Sequence, residues 1–204
     1  VGAYKLSSRS LFGARTTYSS MLVGNTAYSP SSFDLLETVT LSGTQSSVTF
    51  SSLSSYASTY THLQLRIVSR SDYGQYYDDP AIRFNGVTSG YWFHGLGGTG
   101  SSVFPINSGE AVSYMDAYFG SVGGSSPANV FGSVIVDIPN AFSTTQYKTI
   151  RSLGGRHTTG SENRVALTSG LFQSTDAISS ITILPVFASF VSGSRFSLYG
   201  IKAA

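Results

Sequence analysis

From Phe33 onward apolar side chains recur at every second position and turn residues break the runs at short intervals. That period places alternate side chains on opposite faces of a strand, so each segment has one face to bury. The segments are Phe33–Leu41, Val48–Phe50, Leu63–Val68, Ala81–Asn85, Tyr91–Leu96, Ala111–Phe119, Asn129–Ile138, Tyr147–Leu153, Arg164–Ser169, Ile178–Leu184 and Arg195–Ile201. In the last of them Phe196, Leu198 and Gly200 point one way while Arg195, Ser197 and Tyr199 point the other. Ser42-Gly43, Asn85-Gly86, Gly97-Gly98, Gly123-Gly124 and Gly154-Gly155 supply turns and positive φ angles between them. No window shows a helical stripe, and about ten or eleven short strands in succession predict a sandwich or barrel in place of βαβ units. No internal repeat suggests a propeller or β-helix. The expected fold is an all-β, antiparallel, jelly-roll-like β-sandwich, a single domain over residues 33–204, which closes its sheets against edge-to-edge aggregation.

Residues 1–32 differ from the rest. They are rich in Ser, Tyr, Gly and Arg, and their apolar residues come in short groups, Leu11-Phe12 and Met21-Leu22-Val23, without a period. Such a segment buries little against itself, so it is expected to be an extended N-terminal arm. Leu11, Phe12, Met21, Leu22 and Val23 would anchor it either on its own domain or on a neighbour.

Charged residues make up only 11% of the chain, against roughly 25% in soluble domains. The polar surface must then come from Ser, Thr, Gly and Tyr, which pack against other protein without stranding buried charge. This favours an assembled protein, a homo-oligomer whose size is left open, with a trimer preferred because closed cyclic rings are common. The formal net charge is +2 and the twelve basic residues are scattered, so no phosphate-binding tract is present and no nucleic-acid partner is expected. The chain has no cysteine, which removes disulfides and thiolate metal sites. No apolar run is long enough for a spanning helix and no export signal is legible, so neither membrane insertion nor secretion is expected.

Chemistry is hard to place on this sequence. His62, His94 and His157 stand far apart without a metal-ligand spacing, and His62 opens a strand where a hydrogen-bonded edge histidine is the simpler reading. Asp72, Asp78 and Asp79 cluster, but the glycine between them falls in the wrong place for an EF-hand loop, and turn capping accounts for them more simply than calcium does. No Gly-x-Ser-x-Gly singles out a nucleophile, and Gly95–Gly100, read as a loop between strands, lacks the Lys-Ser/Thr of a phosphate loop. No catalytic residue, cofactor or metal is expected, and the protein reads as a non-enzyme. The aromatics carry more: Tyr73, Tyr76 and Tyr77 crowd one loop and Tyr91-Trp92-Phe93 follow in a strand. Tyr73, Tyr76, Tyr77, Tyr91 and Trp92 form a candidate contact surface, suited to protein or to the face of a sugar ring, unless alternate members fill the core.

Several segments also resemble the recurring segments of a known family. Phe33-Asp-Leu-Leu-Glu-Thr-Val-Thr-Leu41, Ser47-Val-Thr-Phe-Ser-Ser52, Tyr60-Thr-His-Leu-Gln-Leu-Arg66, Arg83-Phe-Asn-Gly86, Tyr147-Lys-Thr-Ile-Arg151 and above all Gly193-Ser-Arg-Phe-Ser-Leu-Tyr-Gly-Ile-Lys202 resemble small virion-associated structural proteins of tailed bacteriophages. The resemblance spans the chain from Phe33 and leaves the arm uncovered. It implies a virion location, a tail, fibre or baseplate appendage or a capsid decoration (cement) subunit, with other virion subunits as partners and no catalytic residues. The alternative function is a carbohydrate-binding module that recognises a host-surface glycan through the aromatic cluster.

Overall fold

The computed structural model describes residues 32–159 and 162–203. The strands are β1 (Phe33–Thr40), β2 (Val48–Phe50), β3 (His62–Arg70), β4 (Tyr77–Asp78), β5 (Pro80–Phe84), β6 (Tyr91–Gly98), β7 (Val103–Asn107), β8 (Met115–Asp116), β9 (Ser121–Val122), β10 (Gly132–Ile138), β11 (Lys148–Arg156), β12 (Arg164–Phe172), β13 (Ile181–Pro185) and β14 (Arg195–Ile201). They make the expected sandwich. A ten-stranded sheet runs β1-β14-β3-β10-β11-β12-β6-β7, with β9 and β4 added at the end of β3, and a four-stranded sheet runs β2-β13-β5-β8. Pairing is antiparallel except for the two-residue contact of β3 with β9. The anchoring residues Leu11, Phe12, Met21, Leu22 and Val23 lie outside the described residues.

Alternation builds the core. Leu63, Leu65 and Ile67 of β3, Val134, Val136 and Ile138 of β10, and Phe196 and Leu198 of β14 join Phe50, Ile82, Phe84, Ile181 and Ile183 of the smaller sheet in one buried cluster. Each such side chain contributes about 1.5–3 kcal/mol on burial. β14 takes the orientation its sequence implies, and it lies between β1 and β3, so the C-terminal strand is interior to the large sheet. In β1 a bulge between Leu35 and Glu37 shifts the register. Leu36 and Val39, three positions apart, therefore both pack against the core, which strict alternation would forbid.

Three expectations need correction. Gly95, Gly97 and Gly98 belong to β6, and Gly154 and Gly155 to β11, so neither pair makes a turn. These glycines answer close packing: a Cβ at Gly97 would meet the Phe104 ring at 2.3 Å, and one at Gly154 the Tyr118 carbonyl at 2.3 Å. Ala111–Phe119 is not one strand; only Met115–Asp116 pairs as β8, and Phe119 has a left-handed φ of 62° that ends any extended run. β7 has no counterpart among the expected segments; it contains Pro105 and lies at the sheet edge, where a residue without an N–H is tolerated. Asn85-Gly86 does turn as expected, with φ values of 54° and 70°.

Candidate functional site

The outward face of the large sheet is the most unusual surface. Cross-strand register aligns Ile135, Leu153, Leu167, Leu96 and Pro105 across β10, β11, β12, β6 and β7. The next row runs Val68, Ser133, Gly155, Val165, Gly98 and Val103. No charged residue stands in these rows between β10 and β7. Leu96 is 60% exposed, Val103 77% and Leu167 57%, and Leu153 and Val165 are similarly open. Arg66, which would extend the first row into β3, has its guanidinium over the rings of Tyr199 (4.9 Å) and Phe33 (5.3 Å). On the other side a polar row follows, in which Asp137 and Arg151 pair at 3.7 Å.

The predicted aromatic surface is split. Tyr91 is fully buried: its ring stacks on Phe172 at 4.7 Å, and its hydroxyl accepts the Phe84 N–H (2.8 Å) and donates to the Val87 carbonyl (3.2 Å). It is a core residue, and burial pushes its phenol up to about 12. Trp92, next in β6, points outward and donates to Gln173 Oε1 at 3.2 Å. It lines a groove of about 420 Å³ with His94, Asn107, Thr149, Ser169 and Leu171, apart from the tyrosine loop. Tyr73 and Tyr77 do meet, edge to face at 6.3 Å, and both meet Phe187, whose ring stacks on Tyr73 at 4.8 Å and stands edge-on to Tyr77 at 6.4 Å. Phe187 follows β13 and has no aromatic neighbour in sequence to draw attention to it. Tyr76 is exposed and its carbonyl accepts from Ser126 Oγ at 2.8 Å.

Behind the tyrosines lies a buried charged corner that sequence reading missed in part. Asp79 pairs with Arg156 at 3.0 Å and accepts the Phe119 N–H at 2.9 Å. Asp78 accepts the N–H groups of Asp79 and Phe187, and Asp72 that of Ser189, so the three aspartates do hold loops together. The unexpected members are Asp116 of β8 and Arg156 of β11. The Arg156 guanidinium stacks over Phe119 (4.6 Å) and Tyr77 (5.3 Å) and reaches Glu162 at 3.5 Å. Burial, with the neighbouring Asp79 and Asp78 charges, pushes Asp116 well above the ordinary carboxylate range, and burial pushes Asp79 up to about 6 despite Arg156. Asp78 Oδ2 and Asp116 Oδ1 have no hydrogen-bond partner among the described residues. These carboxyls are shut in by side chains, and no group of three or more His, Asp or Glu among the described residues is arranged to hold a metal ion.

The histidines stand apart. His62, which opens the interior strand β3, accepts the Asn140 N–H on Nδ1 at 2.9 Å, His94 lines the Trp92 groove, and His157 follows β11. No protein-family model matches the chain, and no curated protein matches it.

Proposed function

We propose that this chain is a non-enzymatic structural subunit of a tailed-bacteriophage particle, a tail, fibre or baseplate appendage or a capsid decoration subunit, acting through protein–protein contacts. The observation that carries the reading is the aliphatic field on β10, β11, β12, β6 and β7, uncharged over those strands and bordered by Val68 of β3. Seven exposed aliphatic side chains, Val68, Leu96, Val103, Ile135, Leu153, Val165 and Leu167, amount to something on the order of 600 Å², at the upper end of what a single soluble chain leaves open. The resemblance of the segments from Phe33 to Lys202 to virion-associated proteins supports the particle as the place where that field is covered. Mass spectrometry of purified particles encoded by the same genome tests the reading. A fixed copy number per particle is expected, and absence from washed particles overturns it.

A glycan-binding reading has one observation in its favour, the Trp92 groove with His94, Asn107, Thr149 and Ser169 around a half-open indole. An indole face with polar neighbours suits a sugar ring. Trp92 is the one tryptophan in the chain, so its fluorescence reports the groove directly. Titration with host-surface polysaccharide gives a saturable change if the groove binds sugar; a flat response removes this reading.

A further inference from the structure

We infer that the aliphatic field is covered by the same field of a second copy of this chain, the two sheets packing face to face about a two-fold axis beside Leu167. This inference rests on the reading of the protein as one that works through protein contacts, and it names the partner.

Area is the first argument. A stable interface buries about 800 Å² on each partner, and the open aliphatic surface supplies most of that before any polar rim is added. Chemistry is the second. Ile135, Leu153, Leu167 and Leu96 offer nothing to a charged partner, and the bordering Asp137 and Arg151 neutralise each other at 3.7 Å. A matching surface must be largely neutral and aliphatic, as this face is between β10 and β7.

Shape is the third argument. Where the second row crosses β10 and β11 its residues are Ser133 and Gly155, and a hollow of about 420 Å³ opens there between Val68, Ile135, Leu153 and Val165, with Arg66 at its β3 end held over the Tyr199 and Phe33 rings. Farther along the face Val103 and Leu96 are its most exposed aliphatic side chains, 77% and 60%. Leu96 and the hollow lie two to three strands apart, about 12 Å at ordinary strand spacing. A two-fold axis at β12, between them, sets Leu96 of each copy over the Ser133–Gly155 hollow of the other. Knob and hole on one surface make it self-complementary, the condition for an isologous pair. Two sheets then stack about 10 Å apart, as the layers of a sandwich do.

The chain has no cysteine, so introduced thiols report this geometry without background. Full-length Ser133→Cys and Leu96→Cys proteins, one of them isotope-labelled, are mixed and oxidised. Mixed disulfide dimers at least ten-fold above the self-linked product of either variant are expected. Leu167→Cys alone is expected to link to itself. In sedimentation equilibrium the unaltered chain should show twice its 21.6 kDa mass, and Leu167→Asp, with an unchanged circular dichroism spectrum, should return it to a single chain. A single-chain mass for the unaltered protein at about 100 µM, far above the Kd of a useful interface, overturns the inference. So does an oligomer, trimeric or otherwise, that survives Leu167→Asp, or one that Leu11→Asp with Phe12→Asp dissolves while the face variants do not. Pairing is measured on purified protein and particle content on virions, so either result can fail alone.

Discussion

Two regions of this protein invert the usual distribution of side chains, and in opposite senses. Along β10, β11, β12 and β6 the large sheet exposes Ile135, Leu153, Leu167 and Leu96, while the corner formed by β4, β8 and β11 encloses Asp78, Asp79, Asp116 and Arg156. An open aliphatic face costs solubility but little folding free energy, because the side chains are as wet folded as unfolded. A closed set of carboxyls is a folding cost, tolerated only where partners and protons compensate it. The outer face is thus free to serve another molecule, while the corner concerns the stability of the chain itself.

The face exists only while the sheet does, and β14 lies second from its edge, paired with both β1 and β3. Deleting Ser194–Ala204 removes Phe196 and Leu198 from the core and separates β1 from the sheet, so loss of the cooperative thermal transition is expected. A soluble truncation with an unchanged circular dichroism spectrum contradicts the assignment of β14 as an interior strand.

The corner should answer most strongly to loss of its cation. Arg156→Leu leaves Asp79 buried beside Asp78 and Asp116 without a counter-charge, which costs about 3–5 kcal/mol at neutral pH. Arg156 holds Asp79 down to about 6, so without it Asp79 takes up a proton more readily still, and the cost should shrink as pH falls; chemical denaturation at pH 5 and pH 8 reads the difference. An equal, small loss at both pH values means that Arg156 contributes packing and not charge.

A smaller, pH-dependent effect is expected from the acids themselves. Burial is the main cause that raises Asp79 and Asp116 above the ordinary value of 3.8. The folded protein then binds more protons than the unfolded chain, so stability from these groups is full below about 4 and falls as pH rises through their folded values. Asp116→Asn keeps the shape and removes one titration. Its melting temperature relative to the unaltered chain should rise between pH 5 and pH 8; a constant difference shows that Asp116 does not titrate in that window.

How much of this was legible follows from what each signal reports. Alternation reports one buried face, and it places β3 and β14 well because Leu63-Gln64-Leu65 and Phe196-Ser197-Leu198 repeat with period two, whereas Val134-Ile135-Val136 in β10 is an unbroken apolar run that leaves the buried face unmarked. It says nothing of what an apolar residue on the second face is for. Ile135 and Leu153 look in sequence like further core, and register with Leu167 and Leu96 is needed before they become a surface. Glycine misled for the same reason: Gly97 reads as a turn until the Phe104 ring is seen where its side chain would be. The corner was half visible. Asp78 and Asp79 adjoin, but Asp116 and Arg156 reach them only through tertiary pairing of β5 with β8 and the Asp79–Arg156 ion pair. Tyr73 and Tyr77 were found as neighbours in sequence, and Phe187 could not be.

The smallest effect is the sharpest test of the contrast. Leu153 is 55% exposed on β11, whereas Leu65, whose strand β3 neighbours β10, is fully buried. Leu65→Ala removes packed core atoms and should cost about 2–5 kcal/mol. Leu153→Ala, measured at a concentration low enough to keep chains apart, should change stability by no more than about 0.5 kcal/mol, the range for surface positions without special contacts. That asymmetry is what a face reserved for another molecule requires, since its aliphatic contacts are made only on association. A loss near 2 kcal/mol at Leu153 in the single chain means instead that the protein covers this face with a part of itself, and the outer sheet then belongs to the fold in the same sense as the core.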